Sequence, residues 1–296
     1  MGVQMKPMRL LAVLCLCLPL PIAGQEIGTV TLAEKTLTII RGATVLHAAE
    51  GVRLRPGDIL ESGGVGFVQL ELAGGTVVAL GPSTHMMILA QRPKTLPELV
   101  LMKGWLKGET APGPDTYCYA SPQLAATNRE GAVVLQASGD KTEIFVESGA
   151  ANISKVSSDG TLASPVTAKA GQFFSRQGAK EVAISPRPDP HFVEGMPGPF
   201  RDTLPSRLSR FPNAVEPQAE HEVTYSEIQP WLRINRTWRK GFVERFRPRL
   251  KDPAFRTQLD AHLRDHPEWR PILHPENEDA KTMPAGTETP VPEPRR

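Results

Sequence analysis

Phe67-Val-Gln-Leu-Glu-Leu72, Gly74-Gly75, Thr76-Val-Val-Ala-Leu80 and Gly81-Pro82 follow one another with only Ala73 between them. The first run alternates, the second is β-branched and apolar, and each is bounded by residues that favour turns. That is the pattern of short strands joined by tight reversals. Working outward, Thr36-Leu-Thr-Ile-Ile40 and Glu143-Ile-Phe-Val146 repeat it, with further turn signals at Gly42, Pro56-Gly57-Asp58, Gly63-Gly64, Gly113-Pro114, Ser138-Gly-Asp140 and Asp159-Gly160. Residues 27–184 therefore read as an all-β domain, and strands of this kind suit a sandwich, a barrel or a solenoid equally well.

The pattern changes at Ser185. Prolines stand at 186, 188, 190, 197, 199, 205, 212 and 217, so residues 185–221 are expected to be a semi-rigid linker. Residues 222–275 then carry helical periodicity. Thr224-Tyr-Ser-Glu227 has the form of a capping box, and Pro230 is expected to end or kink the helix it starts. Trp231, Ile234, Trp238, Phe242 and Phe246 recur on one face. Asp252-Pro253 marks another helix start, with Phe255, Leu259 and Leu263 following. The tail, 276–296, is rich in Pro, Thr and Glu and is expected to be disordered. The fold class expected is thus α+β overall: an all-β N-terminal domain, solenoid- or sandwich-like, followed by a small α-helical unit.

The start of the chain gives the compartment. Lys6 and Arg9 precede an apolar run, Leu10–Leu18, which is followed by Pro19, Pro21, Ala23 and Gly24. Residues 1–24 read as a cleavable signal peptide, the run being too short for a membrane span of roughly 20 residues. The location expected is periplasmic or secreted. Cleavage removes two of the three cysteines, leaving Cys118 without a disulfide partner. It also takes Lys+Arg from 34 to 32 against Asp+Glu 32, and a formally neutral chain gives no general electrostatic reason to expect a nucleic-acid partner.

The β region resembles the FecR family of periplasmic domains. The resembling residues are Leu54-Arg-Pro-Gly-Asp-Ile-Leu60, Gly63 to Leu72, Gly75-Thr-Val-Val-Ala-Leu-Gly-Pro-Ser-Thr84, Leu101-Met-Lys-Gly-Trp-Leu106, Ala120-Ser-Pro122, and Thr142 to Gly149 followed by Ala170-Gly171-Gln172. The family's regulators are implied to use a cytoplasmic N-terminal segment and a membrane helix. Here only the signal peptide is read before the β domain, so the resemblance implies a sensing, scaffold or binding module rather than direct sigma-factor control.

Few residues suggest chemistry. His262 and His266 stand four apart on an expected helix, but no Glu follows His262 as in a zinc protease, and two ligands are too few for a structural zinc. Cys118 in Thr116-Tyr-Cys-Tyr-Ala120 lacks a neighbouring base, and Gly81-Pro-Ser-Thr-His85 lacks the serine elbow. No catalytic, cofactor or metal site is expected. The candidate binding residues are Arg233, Arg236, Arg239, Lys240, Arg245, Arg247, Arg249 and Lys251, eight cations against the single acid Glu244 within 231–251. Interleaved with aromatics, they suit an anionic membrane surface or an acidic cell-wall polymer. The function expected is a non-enzymatic envelope protein that binds a protein or cell-envelope polymer; the alternative is a periplasmic signal-transduction component.

Overall fold

The computed structural model describes residues 26–89 and 96–275, so the expected signal peptide and C-terminal tail lie outside the described residues. The strands are β1 (Gly28–Ala33), β2 (Leu37–Arg41), β3 (Thr44–Ala48), β4 (Arg53–Leu54), β5 (Ile59–Ser62), β6 (Val68–Leu72), β7 (Val77–Leu80), β8 (His85–Ile88), β9 (Leu99–Thr110), β10 (Tyr117–Ala120), β11 (Leu124–Ser138), β12 (Lys141–Val146), β13 (Ala150–Lys155), β14 (Val166–Lys169), β15 (Phe173–Gln177), β16 (Ala183–Ser185) and β17 (Gln218–Glu222). The helices are α1 (Pro190–Gly195), α2 (Tyr225–Leu232), α3 (Phe242–Phe246), α4 (Pro253–Ala261) and α5 (Arg270–Leu273). Among the described residues no helix is long and apolar enough to cross a membrane.

The strands form two sheets packed face to face. Sheet A runs β4-β1-β6-β7-β9-β11-β12-β15-β16. Sheet B runs β17-β3-β2-β5-β8-β9-β10-β11-β13-β14. This is a sandwich, which resolves the choice the sequence left open. Val68, Leu70 and Leu72 of sheet A meet Leu37, Ile39 and Leu60 of sheet B in the central core, as period-two strands require.

Two long strands belong to both sheets, crossing between them at glycines. β9 pairs in sheet B up to Lys103 and in sheet A from Gly104; β11 pairs in sheet B up to Glu130 and in sheet A from Gly131. Both glycines have positive φ, +96° and +94°, a region that side chains rarely enter. A Cβ on Gly131 would sit 2.4 Å from the Ser148 carbonyl oxygen. Thr84 pins the first crossing: its Oγ1 accepts the Trp105 amide at 3.0 Å.

The proline-rich stretch is not a free linker. Phe192, Phe200 and Leu204 are buried with Val77, Ala79, Trp105, Val134 and Phe173 on the outer face of sheet A. Proline leaves the chain short of donors for sheet pairing, so side chains from the sheet hold its carbonyls instead. Lys107 Nζ donates to Phe200 O and Asp202 O, both at 2.9 Å. Gln69 donates to Pro205 O at 2.8 Å and Arg53 to Phe211 O at 2.9 Å, while Glu71 accepts the Ser206 hydroxyl at 2.6 Å. The strap then reaches sheet B, where β17 pairs with β3.

The helical unit covers the outer face of sheet B. Ile40, Val45, Ile59, Met87, Val100 and Ala125 form one core with Tyr225, Trp231, Phe246, Phe255 and Trp269. The capping box is present at Thr224, whose amide donates to Glu227 Oε2 at 2.7 Å, and Asp252 caps α4 by accepting the Ala254 amide at 2.9 Å. Pro230 neither ends nor precedes the end of α2 by a full turn: the helix runs on to Leu232.

Candidate functional site

A groove of about 410 Å³ opens where the helical unit meets one end of sheet B. Its sandwich side is the Pro56-Gly57-Asp58 turn and the end of β8. Asp58 closes the turn by accepting the Arg55 amide at 2.9 Å, and it holds Arg41 in a two-pronged pair, at 2.9 and 2.7 Å. Met87, Ile88 and Leu89 supply apolar wall. On the helical side stand Trp238, Lys240, Phe242 and Arg245. Trp238 is fixed by donating from Nε1 to Gly160 O at 3.2 Å.

Arg245 fastens the two halves. Its guanidinium donates to Ile40 O, Gly42 O and Gly57 O, at 2.7, 2.7 and 2.6 Å, and lies over the rings of Phe242 and Phe246. Burial pushes its pKa down to about 10, opposed by nearby Asp58, so it stays charged at neutral pH. Each of its three nitrogens donates to a backbone carbonyl of the sandwich.

The other expected binding residues divide the same way. Arg239 donates to Leu232 O and Ile234 O and pairs with Glu268 at 2.7 Å. Arg249 donates to Val223 O and pairs with Glu222 and Asp252. Both are buried, so Arg239, Arg245 and Arg249 hold the helical unit together. Arg233 is exposed but paired with Asp265 at 2.9 Å. Arg236, Lys240, Arg247 and Lys251 are exposed and make no ion pair among the described residues. Arg41 and Asp58 were missed by the sequence, which offered only a turn signal at 56–58 and nothing to join it to residues 238–245.

None of the remaining candidates lines this groove. α4 ends at Ala261, so the two histidines do not share a helix. They close its C-terminus, His262 Nδ1 lying 2.8 Å from Gln258 O and His266 Nε2 3.0 Å from Leu259 O. No group of three or more metal-ligating side chains occurs among the described residues. Cys118 faces the helical unit, opposite Tyr117 and Tyr119, which face the central core; burial pushes its thiol up to about 12. Ser83 and Thr84 lie in the turn after β7.

No protein-family model matches the chain, and no curated protein shows significant similarity to it. Two crystal structures of a protein provisionally assigned as an anti-sigma factor, from Parabacteroides distasonis, superpose on 46% of the chain at 12% and 13% identity, each with a TM-score of 0.37. The chain covers 62% of those proteins. So slight a likeness carries no argument about function, and the resemblance to FecR domains rests on the sequence motifs.

Proposed function

We propose that the protein is a non-enzymatic, exported envelope component, periplasmic or secreted, whose helical unit binds an acidic cell-wall polymer or an acidic envelope protein. The observation that supports this is the uneven use of charge in residues 222–275, which hold eleven Lys and Arg against seven Asp and Glu. Four of the acids pair with arginine and two, Glu227 and Asp260, are held by His221 and His274, Glu244 alone standing outside these contacts, while Arg236, Lys240, Arg247, Lys251, Arg256, Arg264 and Arg270 make no ion pair among the described residues. Acid side chains are consumed internally and cations are left over for solvent or a polyanion.

The test is co-sedimentation of the full exported chain with purified cell-wall sacculi. Binding should weaken with salt, since exposed charges are screened within about 8 Å at physiological ionic strength. The triple variant Arg236→Glu, Arg247→Glu, Lys251→Glu should lose binding while melting as the parent does. Arg239 is unsuited to this test because its reversal would leave Glu268 and two carbonyls unpaired. Undiminished sedimentation of the triple variant would remove the reading.

A further inference from the structure

The groove between sandwich and helical unit carries a second inference, independent of the polymer surface. Its size lies within the range of small-molecule sites, roughly 300–1,000 Å³. Its walls are apolar: Met87, Ile88 and Leu89 from the sandwich, Trp238 and Phe242 from the helical unit. Its charges do not cancel. Arg41 and Asp58 neutralise each other in their two-pronged pair. Arg245 is satisfied by three carbonyls, which have no net charge. Lys240 is exposed on the lining and has no acidic partner among the described residues. Among the described residues the site therefore presents an apolar cleft in a positive field with one free ammonium at its edge.

We propose that this groove binds a small amphiphilic carboxylate, its hydrocarbon body against the Trp238 and Met87 walls and its carboxylate on the Lys240 ammonium. A neutral apolar molecule would leave the positive field uncompensated, and a cationic amphiphile would be repelled by it. A fully hydrophilic anion would gain nothing from the apolar wall, which is where most of the transfer free energy lies. The occupant expected is a free single-chain acid, since a groove of this volume admits one chain rather than a polymer.

The test is calorimetric titration of the full exported chain with decanoate below its micelle concentration. Saturable one-to-one binding is expected, with decyltrimethylammonium and acetate failing to bind. Lys240→Glu should weaken decanoate by about tenfold or more, the scale of a hydrogen bond to a charged group, and Lys240→Arg should restore it, with the melting temperature of both unchanged. The triple variant at Arg236, Arg247 and Lys251 should bind decanoate normally, which separates failure of this site from failure of the polymer surface. Absence of saturable binding, equal binding of the cationic amphiphile, or undiminished binding by Lys240→Glu would each overturn the proposal.

Discussion

The two outer faces of the sandwich are covered in opposite ways. Sheet B presents an apolar face, Ile40, Val45, Ile59, Met87 and Val100, to a unit of helices. Sheet A presents apolar residues at one end, but Gln69, Glu71 and Lys107 elsewhere, all buried, to an extended proline-rich strap. The cause lies in the backbone of each cover. Helices satisfy most of their own amides and carbonyls, so they can dock mainly through apolar side chains, with Arg245 and Trp238 as the polar ties to the sandwich. An extended strap cannot, and its carbonyls draw buried donors out of the sheet beneath it. Which residues a sheet face carries is thus decided by the secondary structure of what lies on it.

The contrast predicts different weak points. On the helical side the largest loss should come from apolar truncation. Phe246→Ala, at a fully buried ring packed 5.4 Å from Phe242, should cost about 4 kcal/mol by chemical denaturation. On the strap side a polar residue should matter nearly as much. Lys107 is 1% exposed and holds Glu109 at 3.0 Å and Glu147 at 2.7 Å as well as two strap carbonyls. Lys107→Met should cost about 3 kcal/mol and speed proteolysis within residues 190–212. A loss under about 1 kcal/mol, the net worth of one ordinary hydrogen bond, would mean that Phe192 and Phe200 alone hold the strap, and the comparison would break.

The same contrast explains what the sequence could and could not disclose. Strands, turn glycines, the Thr224 capping box and the Asp252 cap are local: each needs only residues within a few positions, and each is where the pattern placed it. The strap was read as a linker because Phe192, Phe200 and Leu204 follow no strand or helix period, and Lys107 is separated by more than ninety residues from the carbonyls it holds. Gln69 and Glu71, the polar half of an alternating strand, ordinarily mark a wet face; here the strap covers them. The basic run at 231–251 hid a division of labour for the same reason. Arg245 and Lys240 look alike in sequence, yet the partners of Arg245 lie some two hundred residues away, while the Lys240 ammonium has none among the described residues. Half of the candidate site was therefore visible as charge, and its sandwich wall, with Arg41 and Asp58, was not.

A smaller effect should be shared by both faces. Gly131 lets β11 leave sheet B for sheet A, so Gly131→Ala strains the crossing without touching either cover. Its positive φ and the contact its Cβ would make with Ser148 put the expected cost at about 2 kcal/mol. The loss should be the same whether the Phe246→Ala change is present or absent, measured as a double-mutant cycle. Strong coupling between the two would show that the crossing and the helical cover act as one element, and would soften the distinction between the faces.

The smallest effect should be a pH dependence confined to the helical side. His266 is buried, with Nε2 against Leu259 O and no partner on Nδ1. Burial holds its pKa below the usual value of 6.5, outweighing the Leu259 carbonyl and the nearby Glu268 and Asp265, while Arg239 adds to the depression. The unfolded chain therefore takes up a proton at a higher pH than the folded one. Stability from this residue is complete above about pH 6.5 and falls as pH drops from there toward the depressed folded value, levelling off below it. His266→Gln, which keeps a donor for Leu259 O, should flatten that fall, whereas Phe200→Ala, which loosens the strap without removing a charged group, should leave it unchanged. Unfolding measured between pH 7.5 and 5 in the parent and both variants tests this directly. Equal slopes in the parent and His266→Gln would mean that the acid sensitivity of the protein does not arise where the helices cover sheet B.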